Sequence, residues 1–481
     1  MANQSSDREA EGMGGKTWGA LLDRGPVDWQ ILPRDEAGFG RLSLAGRWIP
    51  MESLGLLGRG GGEVEARLVR EDSGAPLEGL DWTPAETFAD GTWRLELSSI
   101  PSGGLYRLES RFNPKGNKLG EWSLRGDMRH YLGVGDVWII AGQSNASGYA
   151  KGPYFDEPEL GLHMLRHNGA WGLATHPLGD STDTAYPAVR ETYNPGHSPF
   201  LHFARLLRRE LGCPIGLIPA ALGGSPLEAW DPRHASGGPL AANLAGMAAR
   251  AGGRVKGIVW YQGESDAEPG RAEGYLKRFL AAAAAWREAL GRPRLPILTA
   301  QLGRYYSRSP GGEDLEWSQV REAQRQAARL DPDITVVPAL DLPLEDSIHL
   351  DVPGNMVLGE RLARCALGAV YAKKLDFLAP DLVEAVRDGD RGLRLKFAPV
   401  ISRLESADPI SQPFRVEDDA GIVPVERVAY FRRNEVMLTL GRPGSGRISV
   451  SCGYGENPPA LPRDVERRMP VLAFHGWETT G

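Results

Sequence analysis

Four polar clusters in this chain each follow an apolar run long enough to be a strand. Ser144 lies in GQSNASGYA (residues 142–150), directly after Val137-Trp138-Ile139-Ile140-Ala141. Gly223-Gly224-Ser225 follows PIGLIPAAL, and Gln262-Gly263-Glu264 closes KGIVWYQ. Asp346 and His349 stand three apart in EDSIHLD, after ITVVPAL. Together they supply a hydroxyl, glycine backbone N–H groups, a side-chain amide, and an imidazole with a carboxylate beside it. Acyl transfer needs these parts. A serine hydroxyl is a poor nucleophile until a base takes its proton, and the imidazole of His349 is the candidate base. A carboxylate must hold the ring tautomer and stabilise the imidazolium; Asp346 is the nearest candidate. The charge that develops on the substrate oxygen calls for preorganised donors. The candidates are the Ser144 and Gly224 N–H groups and the Gln262 amide, with Gly223 as an alternative to Gly224. Glycine at these positions lets backbone approach a ligand closely.

The elements that would carry these clusters are legible from residue 135 onward. Strand-length apolar runs alternate with helical patterns such as SPFLHFARLLRREL, SQVREAQRQAARL and GNMVLGERLARCALGAVYAKKL. Strands buried on both faces read as continuous apolar runs, and crossover helices enforce parallel pairing. The expectation is an α/β domain with a parallel sheet over residues 135–374. Ligands bind beyond the carboxyl ends of such strands, and all four clusters fall on that edge. Before it, RLSLAGRW, EVEARLVRE and TWRLELSSI alternate with period two between turn signals, which predicts an antiparallel β-sandwich over residues 21–134. Residues 1–20 are polar and Gly-rich, as expected of a loose tail. After 375 the pattern returns to strands and hairpins, so residues 375–481 read as a second β domain.

The blocks GQSNASG, GGSPLEAW, WYQGESD and DSIHLD, in this order, resemble the sialate O-acetylesterase and carbohydrate acetylesterase branch of the SGNH hydrolase superfamily. The resemblance covers about half the chain. It implies a flavodoxin-like three-layer α/β/α domain flanked by β domains, and a serine esterase that removes O-acetyl groups from carbohydrates. Residue by residue, Ser144 matches the nucleophile, Gly224 and Gln262 the oxyanion donors, and Asp346 and His349 the acid and base. Two departures stand out: Ala146 where the family often has Met, and Gln262 where the broader superfamily has Asn. Gln143, Asn145, Trp230 and Glu264 are further candidates for substrate contact or support. For Glu264 and Asp266 the neighbourhood GESDAEPG also suggests a helix start, where the dipole favours carboxylates. A carbohydrate-binding protein with an inactive α/β domain, or the same mechanism on a non-sugar ester, are the alternative readings.

Other chemistries lack their residues. No GxSxG, Walker A or post-strand GxGxxG occurs. The cluster GRGGG at 58–62 sits between strands, without the helix that phosphate binding uses. His163 and His167 are four apart, but on a strand at ~3.3 Å per residue that is about 13 Å, too far to share an ion. Cys213, Cys365 and Cys452 form no CxxC pair. The expectation is therefore no metal and no organic cofactor. With 41% apolar and 24% charged residues and a net charge of −7, no basic stripe points to nucleic acid. No apolar leader or membrane-length run is visible, which favours a cytoplasmic protein without a membrane partner. Oligomeric state is not encoded legibly.

Overall fold

The structure, a computed structural model, describes residues 18–50, 61–115, 124–154, 156–191, 195–309, 312, 314–408, 410 and 412–481. Most of the expected tail, and residues 58–60 of the GRGGG cluster, lie outside the described residues. The chain divides into two compact units: residues 1–136 with 212–214, and residues 137–211 with 215–481.

In the first unit the period-two pattern becomes strands. They are β1 (Gly19–Arg24), β2 (Ile31–Pro33), β3 (Phe39–Ile49), β4 (Gly62–Arg70), β5 (Thr83–Pro84), β6 (Glu86–Thr87), β7 (Thr92–Pro101), β8 (Gly103–Pro114) and the first part of β9 (Leu124–Gly142). One sheet runs β1-β3-β7-β6; in the other, β8 lies between β4 and β9. Along β3, Leu42 and Leu44 point inward while Arg41 and Ser43 face out, as the pleat requires. Leu42, Leu44, Trp93 and Leu97 of one sheet share a core with Val64, Leu68, Leu108 and Phe112 of the other. The sheets thus bury their apolar faces on each other.

The second unit opens with the last residues of β9. It continues through β10 (Leu162–Leu165), β11 (Trp171–Leu173), β12 (Ile215–Pro219), β13 (Gly257–Tyr261), β14 (Ile297–Gln301) and β15 (Ile334–Pro338). Their order is β11-β10-β12-β9-β13-β14-β15. The pairs β9–β13, β13–β14, β14–β15 and β10–β12 are parallel. The sheet is mixed rather than purely parallel, because β11 returns antiparallel along β10. GLHMLRHNG thus contributes the inner strand of a hairpin whose other strand, β11, is the sheet edge. Helices α1 (Ser144–Ser147), α2 (Phe200–Leu211), α3 (Pro239–Arg250), α4 (Tyr275–Ala289), α5 (Asp314–Leu330) and α6 (Val352–Ala369) complete the α/β/α layering. α2 packs on α6, and α4 on α3 and α5. Every residue of β12, β13 and β14 is buried, the physical reason for the apolar runs of β12 and β13. Chain order reverses beside β9, with β12 on one side and β13 on the other. Such a switch point leaves a crevice at the carboxyl ends of the strands.

The C-terminal strands belong to this same unit. Asp381–Arg387 pairs with Gly392–Ala398, and Val425–Phe431 with Glu435–Leu440, all antiparallel. Helix α5 ties them to the sheet. The buried Arg321 donates to the carbonyls of Leu302 and Gly303, and to those of Gly455 and Glu456. Burial pushes its guanidinium down to about 9. Arg325 and Arg329 both bind Asp381. Among the described residues no helix is long and apolar enough to cross a membrane.

Candidate active site

Ser144 is presented by a turn that only glycine can make. Gly142 ends β9 with φ +127°, and a Cβ there would lie 2.0 Å from the carbonyl oxygen of Tyr261. A side chain is excluded both by conformation and by the neighbouring strand. Gln143 N–H then donates to Tyr261 O at 2.9 Å, and Ser144 opens the single turn α1. Ser144 is 7% exposed. Its side chain lines a cavity of about 560 Å³ at the β9 switch point, together with Tyr149, Glu191, Gly224 and His349.

His349 reaches the same cavity from the loop after β15. Its Nδ1 lies 2.7 Å from Asp346 Oδ2, while the backbone N–H groups of Ile348 and His349 donate to Asp346 Oδ1. With a carboxylate on Nδ1, that nitrogen carries the proton and Nε2 keeps its lone pair. Partial burial pushes the Asp346 carboxyl up, but the His349 ring and the two backbone donors outweigh it and hold the group below its usual range. The loop is braced on both sides. Glu345 accepts from the Lys151 and Gly152 N–H groups, and Asp351 caps α6 through Gly354 N–H at 2.7 Å. Tyr149 stacks on the His349 ring, centroids 4.9 Å apart. Among the described residues no hydrogen bond joins Ser144 Oγ to His349. In ligand-free sites such contacts are often loose and tighten on binding.

The glycine pair divides its labour. Gly223 N–H donates to Glu191 Oε1 at 2.6 Å, so it is already spoken for. Gly224, at φ +63°, and Ser144 each keep a backbone N–H with no partner among the described residues. Glu191 also receives Tyr149. Burial pushes its carboxyl up, opposed by hydrogen bonds from Tyr149 and Gly223 N–H and by the nearby Ser147 hydroxyl and His349.

Gln262 does not face the cavity. It is fully buried; its amide nitrogen donates to Asp266 Oδ2 at 2.7 Å and Ser225 O at 3.3 Å, and its carbonyl accepts from the Tyr275 hydroxyl. The longer side chain of Gln turns into the core and joins its own loop to the glycine loop and to the start of α4, which corrects the expectation that it offers a free donor. Asp266 is the centre of that hub, binding Leu227 N–H and Arg278 as well. It and Glu264 sit on a single 3-10 turn, so their role is loop bracing rather than pairing with a helix dipole. Trp230 is likewise buried, edge-on to Trp260, with its indole N–H on Ser225 Oγ; it supports the glycine loop and does not line the cavity. Gln262→Ala is expected to lower unfolding free energy by about 2–4 kcal/mol through lost packing and unpaired partners. Urea denaturation measures this. A variant of unchanged stability whose kcat falls 10²–10³-fold would instead restore Gln262 as an oxyanion donor.

Asn145 joins the first block to the last. Its Nδ2 donates to Glu264 Oε1 and Ile348 O, and its Oδ1 accepts from Leu350 N–H at 3.0 Å. Burial pushes the Glu264 carboxyl up despite the Asn145 bond. Gln143 Oε1 accepts from Ser265 N–H. Sequence reasoning did not identify Tyr149, Arg190, Glu191 or Glu345. Tyr149 sat within the first block; the others belong to no motif and became neighbours only through folding.

Residues 134–368 match the family model described as carbohydrate esterase, sialic acid-specific acetylesterase. A probable carbohydrate esterase of Arabidopsis thaliana is 28% identical over 256 residues, spanning 48% of this chain and 90% of that protein. The crystal structure of a carbohydrate acetylesterase from Xanthomonas citri superposes with a TM-score of 0.64 at 23% identity, over 94% of this chain and 98% of that one, a likeness of fold. Residues 134–368 thus match the sialic acid-specific acetylesterase family of carbohydrate esterases, and the protein is a carboxylic ester hydrolase.

Proposed function

We propose that this protein is a serine esterase that removes acetyl groups from O-acetylated carbohydrates through an acyl-enzyme on Ser144. The observation that carries the reading is the 2.7 Å contact of His349 Nδ1 with Asp346, on a ring that shares one cavity with Ser144. The Ser144 oxygen attacks the acetyl carbonyl while His349 Nε2 takes its proton. The resulting oxyanion accepts from the free N–H groups of Ser144 and Gly224. The sugar oxygen leaves with the proton from His349, and water attacks the acetyl-serine by the same route in reverse. A cavity of about 560 Å³ suits a sugar-sized ligand. Its rim carries Arg190 and Glu191, which suit hydroxyl-rich ligands better than lipid chains.

Acetate release is to be measured across acetylated sialic acids, acetylated xylan, small acetylated sugars and p-nitrophenyl acetate. Turnover of at least one acetylated sugar is expected to exceed that of the simple ester in kcat/KM. Glycan binding without acetate release from any of them would point to an inactive binding protein. Preference for the simple ester would move the activity away from carbohydrates.

Asp346→Asn should lower kcat by about 10³-fold. That is less than the ~10⁴ known for a buried triad aspartate, because the Asp346 side chain is 53% exposed and solvent supports the imidazolium in part. The pH dependence has a definite sign. The folded-state carboxyl is held below its usual range, so the ionised carboxylate that orients His349 is present above the ordinary carboxylate value and is lost as pH falls through the lowered one. A kcat for Asp346→Asn within threefold of the wild type would assign the orienting role to another group.

A further inference from the structure

We propose that Asp156, His176 and His197 form a binding site for one divalent first-row transition cation of the zinc type. The three side chains come from separate loops: after α1, just past β11, and ahead of α2. Their ligating atoms all lie within 4.8 Å of one another. Asp156 Oδ2 is 3.1 Å from His197 Nε2 and 3.5 Å from His176 Nε2. Zinc bonds of ~2.0–2.1 Å in a tetrahedron separate neighbouring ligand atoms by about 3.3 Å, so a closure of the rings sets three protein ligands, with a water taking the fourth position of the bound ion.

The independent observation is the state of the imidazoles. Both rings are only 1% exposed. Both nitrogens of His176 and Nδ1 of His197 have no hydrogen-bond partner among the described residues. An ion pair between His197 and Asp156 explains one contact and leaves His176 buried, aimed at the same carboxylate oxygen and unsatisfied. Buried polar atoms in native proteins are rarely left so; a cation at Asp156 Oδ2 satisfies both Nε2 atoms at once. Arg205 holds the other oxygen, Oδ1, at 2.9 Å, the outer-shell arrangement that orients a ligating carboxylate. Glu159 accepts from Arg205 in turn and balances its charge.

Such an ion would act as a clamp. Asp156 lies on the same stretch as Tyr149, which stacks on His349. His197 N–H already donates to Ala150 O, and its carbonyl accepts from Asn355 of α6. The cation would fasten that stretch to the segment ahead of α2, without taking part in bond breaking.

The test uses the untagged full chain, stripped with a chelator and titrated with Co²⁺ as a spectroscopic probe, then with Zn²⁺ in competition. One equivalent is expected to bind with d–d absorption of a four-coordinate site, and Zn²⁺ is expected to raise Tm. His176→Phe, which keeps the buried ring volume, and Asp156→Asn should each weaken binding at least about 100-fold, whereas the exposed His234→Ala should leave it unchanged. Absence of saturable binding to the wild-type chain overturns the proposal. So does binding that survives both ligand substitutions, or that is lost with His234→Ala.

Discussion

Ser144→Ala is expected to reduce kcat by about 10⁵–10⁶-fold. Removing a serine nucleophile in enzymes of this type costs that much, and the remaining acceleration over water comes from binding and the oxyanion donors. The change should leave the fold intact for a local reason. Among the described residues no side chain or backbone group hydrogen-bonds the Ser144 hydroxyl, so its loss strands no partner. Its backbone carbonyl, which accepts from Gly148 N–H, is untouched. Near-UV circular dichroism and the urea midpoint should therefore match the wild type while release of p-nitrophenol from its acetate ester disappears. A serine-reactive phosphonate should label the wild type once, at Ser144, and the variant not at all. Turnover by the purified variant within tenfold of the wild type would falsify the assignment of the nucleophile.

His349→Gln is expected to cost a similar factor, about 10⁴–10⁶ in kcat, because nucleophile and base act as a unit. Gln is preferred to Ala because its amide can still donate to Asp346, which is held by the backbone N–H groups of Ile348 and His349 in any case. Tyr149 loses its stacking partner, so some stability loss accompanies the change, and rate alone is not the deciding readout. The pH profile is. With an imidazole base the rate rises with pH and levels once the ring is neutral. Without it, the residual rate should climb with hydroxide and show no plateau. A variant that retains the wild-type plateau would identify another group as the base; Glu191, in the same cavity and held above its usual carboxylate range by burial, would be next to examine.

The two substitutions separate what is chemical from what is architectural around Ser144. Asn145 and Glu345 hold no position in the proposed proton path, yet each links loops that arrive from opposite ends of the α/β unit. Asn145 bonds the third and fourth blocks at once, and Glu345 grips the stretch that bears Tyr149.

The chain order of apolar runs determined a good deal by itself. Strand-length apolar runs that alternate with amphipathic helical patterns read as strands covered on both faces, so the α/β layering followed, and with it the edge where Ser144, the glycine pair and His349 had to emerge. Why residue 142 must be glycine was decided by the fold, since the Tyr261 carbonyl that excludes a side chain there belongs to the neighbouring strand. Side-chain direction was not legible either. Gln262 and Trp230 sit in blocks that point at the cavity by position, but their side chains turn inward, where a buried carboxylate and an aromatic cluster satisfy them. The choice between Gly223 and Gly224 depended on Glu191, thirty-two positions earlier, a partner that no local spacing reveals. Asp156, His176 and His197 are about twenty residues apart and share no motif; only the return of three loops to one place sets them around a single point. Local sequence encodes periodicity and backbone strain because both act over a few residues, whereas hydrogen-bond partners are assigned by whichever distant group the packed core leaves within reach.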